Sequence, residues 1–150
     1  MRLFVDGDAF PNLLKPILFR SIERLNIETL VVSNKPITIG KSKLISYIIV
    51  EQGADEADNY IAEVVSEGDL VITADIPLAD RVISKAAHAI DHRGELYSMD
   101  NIKQYLAIRN LMEKVRESGE MTKGPKPFDQ KDAHQFANQL HKFLTKYYKI

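Results

Sequence analysis

The sequence predicts an α/β protein, built as a three-layer αβα sandwich around a mostly parallel central sheet. Short apolar segments of strand length alternate along the chain with longer segments of helical periodicity, which is typical of βαβ units. Two of the strands end in an aspartate or are closely followed by one. The carboxyl ends of parallel strands are where α/β proteins bind ligands, so the same pattern predicts both the fold and the place of a site.

The first half of the chain contains three predicted strands and one helix. Residues 2–6, 29–33 and 44–50 are short apolar runs with β-branched or aromatic residues, as buried strands have. Between the first two runs, residues 12–25 place leucine and isoleucine on one helical stripe. Residues 34–43 are basic and contain proline and glycine, which predicts a loop.

The middle of the chain continues the alternation. Helices are predicted over 55–67 and 77–87, because both segments carry apolar residues at helical spacing. A strand is predicted over 69–73, between these helices, and a short fifth strand over 88–91. Strand–helix–strand order of this kind favours parallel pairing with helices on both faces of the sheet.

Two amphipathic helices are predicted in the last third of the chain. Residues 100–117 carry apolar residues at helical spacing, and we expect that face to pack inward. These residues are Ile102, Tyr105, Leu106, Leu111, Met112 and Val115. The last helix is predicted over 129–147, where a second apolar stripe recurs.

Glycine and proline between these two helices predict a hinge. We expect an α/β domain over 1–118, and a basic Gly/Pro hinge with a C-terminal helix over 119–150 that packs on or extends the same domain. Residues 1–100 carry 10 basic and 16 acidic side chains, whereas residues 101–150 carry 10 basic and 5 acidic ones. A basic tail beside an acidic body suits a metal-dependent enzyme on a phosphate-rich substrate, although lysine-rich tails also serve solubility alone.

Composition excludes several classes of function. The chain has no cysteine, which excludes disulfides, thiolate metal sites and a cysteine nucleophile. Charged residues near the N-terminus argue against a signal peptide, and no apolar run approaches the roughly 18 to 20 residues of a membrane span. We therefore expect a cytoplasmic protein without a membrane partner. The basic tail either docks on the sheet, covers the ligand crevice or binds a second subunit in a homodimer.

Acidic residues recur near three predicted strand or helix ends. They are Asp6 and Asp8 after the first strand, Asp55 and Asp58 at a helix start, Asp75 after the fourth strand, and Asp80 in the helix that follows. If the first and fourth strands are neighbours, these carboxylates meet in one crevice, where their repulsion calls for a cation. Oxygen donors of this kind suit Mg²⁺ or Mn²⁺, which support phosphodiester hydrolysis.

Most of these acids also have a purely structural interpretation. Four stand where helix caps occur: Asp8, Asp55, Asp58 and Asp75. Asp80 equally suits a solvated helical position. Asp6 differs from the others, because it directly ends an apolar strand and is hard to explain as a cap.

The chain resembles, over nearly its whole length, the uncharacterised bacterial family of YaiI/YqxD-type proteins (DUF188, also labelled UPF0178). The resemblance rests on the following segments: Val5–Ala9 with Pro11-Asn12, Gly53–Asp55 with Ala57–Asn59, Gly68–Ala79, Arg93–Glu95, and Gly124-Pro125 with Phe136-Ala137. Phe10 stands where relatives usually carry cysteine, which argues against a thiol role at that position.

That family is similar to the PIN-like superfamily, which includes PIN, NYN and flap-nuclease domains. The resemblance implies a PIN-like αβα sandwich and Mg²⁺- or Mn²⁺-dependent cleavage of nucleic acid, RNA more than DNA, by two-metal-type hydrolysis. Asp6, the Asp55/Asp58 pair and Asp75 match the superfamily's acidic positions one by one. Asp8 and Asp80 are additional candidate ligands in the same segments.

Basic residues offer candidate contacts to nucleic-acid phosphates. Lys35, Lys41 and Lys43 are expected near the carboxyl edge of the sheet, where they would either grip phosphate or remain solvated. Arg93 follows the predicted fifth strand and would either meet a phosphate or pair with an acid.

Two other functions remain open on sequence grounds. One is a non-catalytic RNA-binding or adaptor module, in which the basic tail and loop lysines supply affinity. The other is a haloacid-dehalogenase-like phosphatase with Asp6 as nucleophile, because Val5–Asp8 resembles the first motif of that class. Against the phosphatase, Ala9-Phe10 replaces the usual hydroxyl or β-branched residue, and Gly68-Asp69 precedes a strand instead of following one.

Overall fold

The computed structural model of the chain describes residues 1–53, 55–119 and 126–148. Within these ranges, the strands are β1 (Leu3–Asp6), β2 (Thr29–Ser33), β3 (Ile45–Ile49), β4 (Leu70–Ile72), β5 (His88–Ile90) and β6 (Leu96–Tyr97). The helices of the same ranges are α1 (Leu14–Leu25), α2 (Glu56–Val64), α3 (Ile76–Ser84), α4 (Ile102–Glu117) and α5 (Gln130–Tyr147).

The strands form one sheet in the order β3-β2-β1-β4-β5-β6, and every neighbouring pair except β5–β6 is parallel. The chain adds β2 and β3 on one side of β1, then crosses to β4 on the other side. The gap between the carboxyl ends of β1 and β4 is therefore the point where the strand order reverses. Open α/β sheets bind ligands at such a point.

Helices cover both faces of the sheet. Leu3 and Val5 of β1 face a core cluster that includes Leu18 of α1 and Phe136 of α5. Side chains alternate across a strand, so Phe4 faces the opposite cluster, which contains the apolar residues of α2 and α3. The three-layer α/β sandwich predicted from the sequence is confirmed.

Helix α5 begins with a capping box. The Asp129 carboxylate accepts a hydrogen bond from the Asp132 amide at 3.0 Å, and the Asp132 carboxylate accepts one from the Asp129 amide at 3.1 Å. This cap fixes the start of a helix that packs beside α1 on the core. The predicted hinge lies in part outside the described residues, since positions 120–125 are not described.

Helix α4 corrects the expectation that its apolar face is buried. Ile102 is buried and Tyr105 is partly covered, but Leu111 is 60% exposed. Leu106, Met112 and Val115 are half-buried, and Ile108 is also largely exposed. The helix packs on α3, and its apolar face is not covered further along within the described residues. Helical periodicity predicts the helix itself but carries no information on which element covers it.

Strand β6 is the one element of the described residues that the sequence did not predict. It is two residues long and pairs with β5 in an antiparallel hairpin. A pair of residues is too short to show strand periodicity. Among the described helices, none is both long and apolar enough to cross a membrane.

Candidate functional site

Asp6 lies at the end of β1, beside the end of β4, and is 8% exposed. Its Oδ2 accepts a 2.9 Å hydrogen bond from the Thr73 hydroxyl, and its Oδ1 accepts a long one of 3.4 Å from the Asp8 amide. The buried carboxylate is thus tied to the strand on the other side of the reversal point. Its orientation is fixed by the sheet itself.

Gly7 allows the chain after β1 to lie directly against β2. Its amide donates to the Val32 carbonyl at 2.8 Å, and a Cβ at Gly7 would stand 3.0 Å from the Ser33 Cβ. The Asp8 carboxylate then accepts a 3.0 Å hydrogen bond from the Asn34 amide. Asp8 is therefore held by the end of β2, and it does not cap α1.

Asp75 is the N-cap of α3, as its structural interpretation predicted. Its carboxylate accepts a 2.9 Å hydrogen bond from the Leu78 amide, and its own amide donates to the Thr73 hydroxyl at 3.0 Å. Capping occupies Oδ1, the oxygen nearest the helix. The same side chain also lines the cavity described below, so its role as a cap does not remove Asp75 from the candidate site.

Asp55 and Asp58 project from the start of α2. Asp55 stands at the N-cap position of this helix with a left-handed backbone (φ 67°), and it makes no side-chain cap hydrogen bond. The cap interpretation of Asp55 is therefore wrong. Asp58 lies in the first turn of α2, close to the carboxyl groups of Asp75 and Asp6.

One cavity of about 440 Å³ collects five of the six candidate acids. It is lined by Asp6, Asp8, Ala9, Asn34, Gly53, Asp55, Glu56, Ala57, Asp58, Ala74, Asp75 and His92. We call it the aspartate cavity. It lies at the reversal point of the sheet because β1 and β4 are neighbours, which is the condition on which the sequence argument depended.

Crowding and burial make the deeper carboxylates hard to ionise. Burial raises the pKa of Asp6 to about 6, against the lowering effect of the Thr73 hydrogen bond. Burial, followed by the neighbouring Asp75 carboxylate, raises the pKa of Asp58 to about 7. A positive charge placed among these groups would favour their ionised forms and relieve the repulsion.

Most of the donor atoms that line the aspartate cavity are carboxylate oxygens, which suit a hard divalent cation. No three acidic or histidine side chains of the described residues already form a metal-binding set. Mg²⁺ does not require one, because it usually keeps several waters and binds through one or two carboxylates together with substrate phosphates. If such a cation binds, the neighbouring carboxylates of Asp6, Asp58 and Asp75 would be the groups to hold it.

His92 lines the aspartate cavity but is not among the site residues predicted from the sequence. The residue is 9% exposed, and its ring packs edge-on against Phe10 with 5.5 Å between ring centroids. Its Nε2 is buried and, among the described residues, has no hydrogen-bond partner. Burial, and then the charge of Arg93, lower its pKa to about 4, so the imidazole is neutral near pH 7. The available signal was its place just after β5, at the same sheet edge as Asp6.

Asp80 and Arg93 were predicted as site residues, but both lie outside the aspartate cavity. Asp80 is not among the lining residues, and its carboxylate pairs with Lys103 of α4 at 3.0 Å. Arg93 pairs with Asp132 at 3.4 Å and donates to the Lys126 carbonyl at 2.6 Å. Of the two roles expected for Arg93, the structure shows the pairing with an acid. This arginine anchors the start of α5.

The loop lysines do not line the aspartate cavity either. Because β2 and β3 are parallel, their connection runs from the carboxyl end of β2 to the amino end of β3. Lys35 follows β2 closely and stays near the carboxyl edge. Lys43 precedes Leu44, whose carbonyl accepts from the Thr29 amide at the opposite edge. The expectation that all three lysines, Lys41 among them, lie together at the carboxyl edge is thus corrected.

The fold and the site define a class of protein: a three-layer α/β sandwich with an acidic cavity at the reversal point of its sheet. The particular family follows from the sequence. The profile of DUF188, described as an uncharacterised YaiI/YqxD family, matches residues 4–146, and the chain belongs to this family.

Curated relatives carry the same family label over their whole length. A UPF0178 protein of Sulfurimonas denitrificans is 86% identical over 146 residues, which cover 97% of each chain. UPF0178 proteins of Sulfurovum sp. and Nitratiruptor sp. are 70% and 68% identical, over 97% of this chain and 99% and 96% of theirs. No solved structure matches the chain.

Proposed function

We propose that this protein is a Mg²⁺- or Mn²⁺-dependent nuclease that hydrolyses phosphodiester bonds, with RNA preferred over DNA. One observation carries the proposal: Asp6, Asp58 and Asp75 crowd together in a cavity at the reversal point of the sheet, with the pKa of two of them strongly raised. Perturbed carboxyl groups that converge in such a cleft are a frequent mark of active sites.

The protein's own contribution is to hold carboxylates in place before a cation arrives. Thr73 orients Asp6, the α3 cap orients Asp75, and the end of β2 holds Asp8 through the Asn34 amide. Bound divalent cations would polarise a phosphoryl oxygen and activate water for attack. Side chains fixed beforehand lose little conformational freedom on binding, which favours a defined geometry at the reacting phosphate.

The resemblance to PIN-like nucleases supports this chemistry. Those proteins carry an acid after the first strand, acids on a central helix and an acid after a later strand, and the resemblance matches Asp6, the Asp55/Asp58 pair and Asp75 to these positions in turn. The net positive charge of residues 101–150 would favour association with a polyanion. RNA, the substrate class implied by the resemblance, is the first substrate to test.

Cation binding is tested by thermal unfolding with and without millimolar Mn²⁺. A cation at about 100 times its Kd stabilises by about 2.7 kcal/mol, which raises the Tm by roughly 5 to 10 °C for a chain of this size. Asp6→Asn should abolish the rise. Asp80→Asn is the matched control, because Asp80 lies outside the aspartate cavity and should leave the rise unchanged.

Cleavage is tested with end-labelled single-stranded RNA and DNA in the presence of Mn²⁺. We expect slow cleavage of RNA that EDTA, Asp6→Asn and Asp75→Asn each prevent. A protein whose Tm does not respond to Mn²⁺ contradicts the proposal. Binding of RNA without turnover, unchanged by Asp75→Asn, would instead identify a non-catalytic RNA-binding module.

A further inference from the structure

A second cavity opens directly beside the aspartate cavity. It measures about 330 Å³ and shares Asp55, Asp58 and Asp75 with its neighbour. Its remaining lining residues are Asn59, Pro77, Leu78, Arg81 and Arg109. We call it the arginine cavity. The two cavities meet at the starts of α2 and α3, so an extended ligand that passes the aspartates would continue along the arginines.

The two arginines come from different helices. Arg81 lies on α3, and its Nη1 donates a 2.8 Å hydrogen bond to the Asn59 Oδ1 of α2. Arg109 lies on α4, and its Nη1 stands 3.0 Å from Glu113 Oε1 one turn along the same helix. The packing of α4 on α3 brings both guanidinium groups to one cavity.

Among the described residues, most of the donor capacity of these two arginines is uncommitted. Each guanidinium has five N–H donors in a planar fork, and the contacts above use one nitrogen of each. Within the described part of the chain, neither arginine forms an ion pair with Asp55, Asp58 or Asp75. The arginines therefore do not serve as direct counter-ions of the carboxylates. Guanidinium forks match the oxygens of a phosphate group.

We propose that Arg81 and Arg109 form a subsite for the backbone phosphate of single-stranded RNA adjacent to the phosphodiester that lies at the aspartates. The inference rests on the proposed function for its substrate class. A phosphodiester suits two arginines that approach one cavity from different helices, because its tetrahedral phosphorus directs the two non-bridging oxygens apart and each arginine can bind one of them. A substrate with only one phosphodiester cannot occupy both positions.

Binding without cleavage tests this subsite. Fluorescence anisotropy of a labelled oligouridylate, measured in EDTA, reports affinity when no divalent cation is present. Arg81→Gln and Arg109→Gln should each weaken binding by about threefold to tenfold and lower the slope of log K against log salt by about 0.7, the value for one phosphate contact on a single strand. Arg116→Gln is the matched control, since Arg116 is an exposed arginine two turns further along α4.

The outcomes separate the subsite from the nuclease proposal. If the wild type binds RNA and both variants lose affinity, the subsite stands even when no RNA is cleaved. Variants that bind like Arg116→Gln overturn it, whether or not the wild type cleaves, and so does a wild type that binds no RNA. Arg109 lies on an exposed helix surface, so Arg109→Gln decides the question if Arg81→Gln fails to fold.

Substrate length gives a second readout if cleavage is found. A dinucleotide with a single phosphodiester should be cut equally well by the wild type and Arg109→Gln. A longer strand should be cut several-fold more slowly by Arg109→Gln at low substrate concentration. An equal effect on both substrates would overturn the proposed position of the subsite.

Discussion

The hydroxyl group of Thr73 donates a 2.9 Å hydrogen bond to Oδ2 of Asp6 and accepts a 3.0 Å one from the amide of Asp75. One fully buried side chain thus connects two candidate ligands that come from opposite sides of the reversal point in the sheet. Asp6 and Thr73 are 67 residues apart in the sequence. Their contact depends on the pairing of β1 with β4, which sets the geometry of the whole aspartate cavity.

Replacing Thr73 by valine should remove this connection while keeping the side-chain volume. The Thr73 hydrogen bond lowers the pKa of Asp6, so its loss should raise that pKa further and leave a buried carboxylate without its partner. We expect Thr73→Val to cost about 1 to 3 kcal/mol at pH 7, measured by urea denaturation. Thr73→Ser keeps the hydroxyl and is the control. Equal stability of Thr73→Val and the wild type would show that the hydrogen bond does not hold Asp6.

The pKa of Asp6 predicts a pH-dependent difference between the wild type and Asp6→Asn. Burial raises this pKa from its ordinary value of 3.8 to about 6, so Asp6 favours the folded state below pH 4 and loses that contribution as pH rises through 6. Asp6→Asn stays neutral throughout. From pH 4 to pH 7 we expect the variant to gain about 2 to 3 kcal/mol relative to the wild type, in urea denaturation with EDTA.

His92 should produce the opposite pH dependence. Its pKa falls from 6.5 to about 4 in the folded protein, so the unfolded chain binds more protons between these values and stability falls as the pH is lowered from 6.5 to 4. His92→Phe removes this loss and the unpaired Nε2 together, and its ring can pack on Phe10. At pH 5, we expect it to unfold at a higher urea concentration than the wild type. At pH 7.5 the His92 imidazole is neutral in both the folded and the unfolded protein, so the difference in stability between His92→Phe and the wild type should be much smaller.

A lower stability of His92→Phe at both pH values would show instead that the imidazole has a polar partner which the described residues do not include. His92→Asn serves as the matched polar control. It removes the titration but keeps polar atoms in the buried site, so it should share the altered pH dependence without the gain from apolar packing.

The sequence was sufficient to locate the five acids that line the aspartate cavity, because each stands at or near a strand or helix end. Asp6 and Asp75 could be assigned to one sheet edge from the βαβ pattern alone. Their meeting required β1 and β4 to be neighbours, which the pattern allowed but did not determine. Arg81 and Arg109 could not be found in this way, because only the packing of α4 on α3 brings two exposed helical arginines together. Periodicity likewise predicted α4 without revealing that Leu111 is exposed.

Gly7 should be required for the position of Asp8. An alanine Cβ at this position would stand 3.0 Å from the Ser33 Cβ and 3.1 Å from the Val32 carbonyl oxygen, and the latter belongs to the backbone of a central strand that cannot easily move. We expect Gly7→Ala to destabilise the protein by about 1 to 3 kcal/mol in urea denaturation. It should also reduce the Mn²⁺-dependent rise in Tm, because the turn that holds Asp8 is displaced. Gly53→Ala is the control at the aspartate cavity, since among the described residues its Cβ would meet only the flexible Glu56 side chain, at 3.2 Å. If the two variants prove equally stable, the close approach of this turn to β2 does not constrain the site.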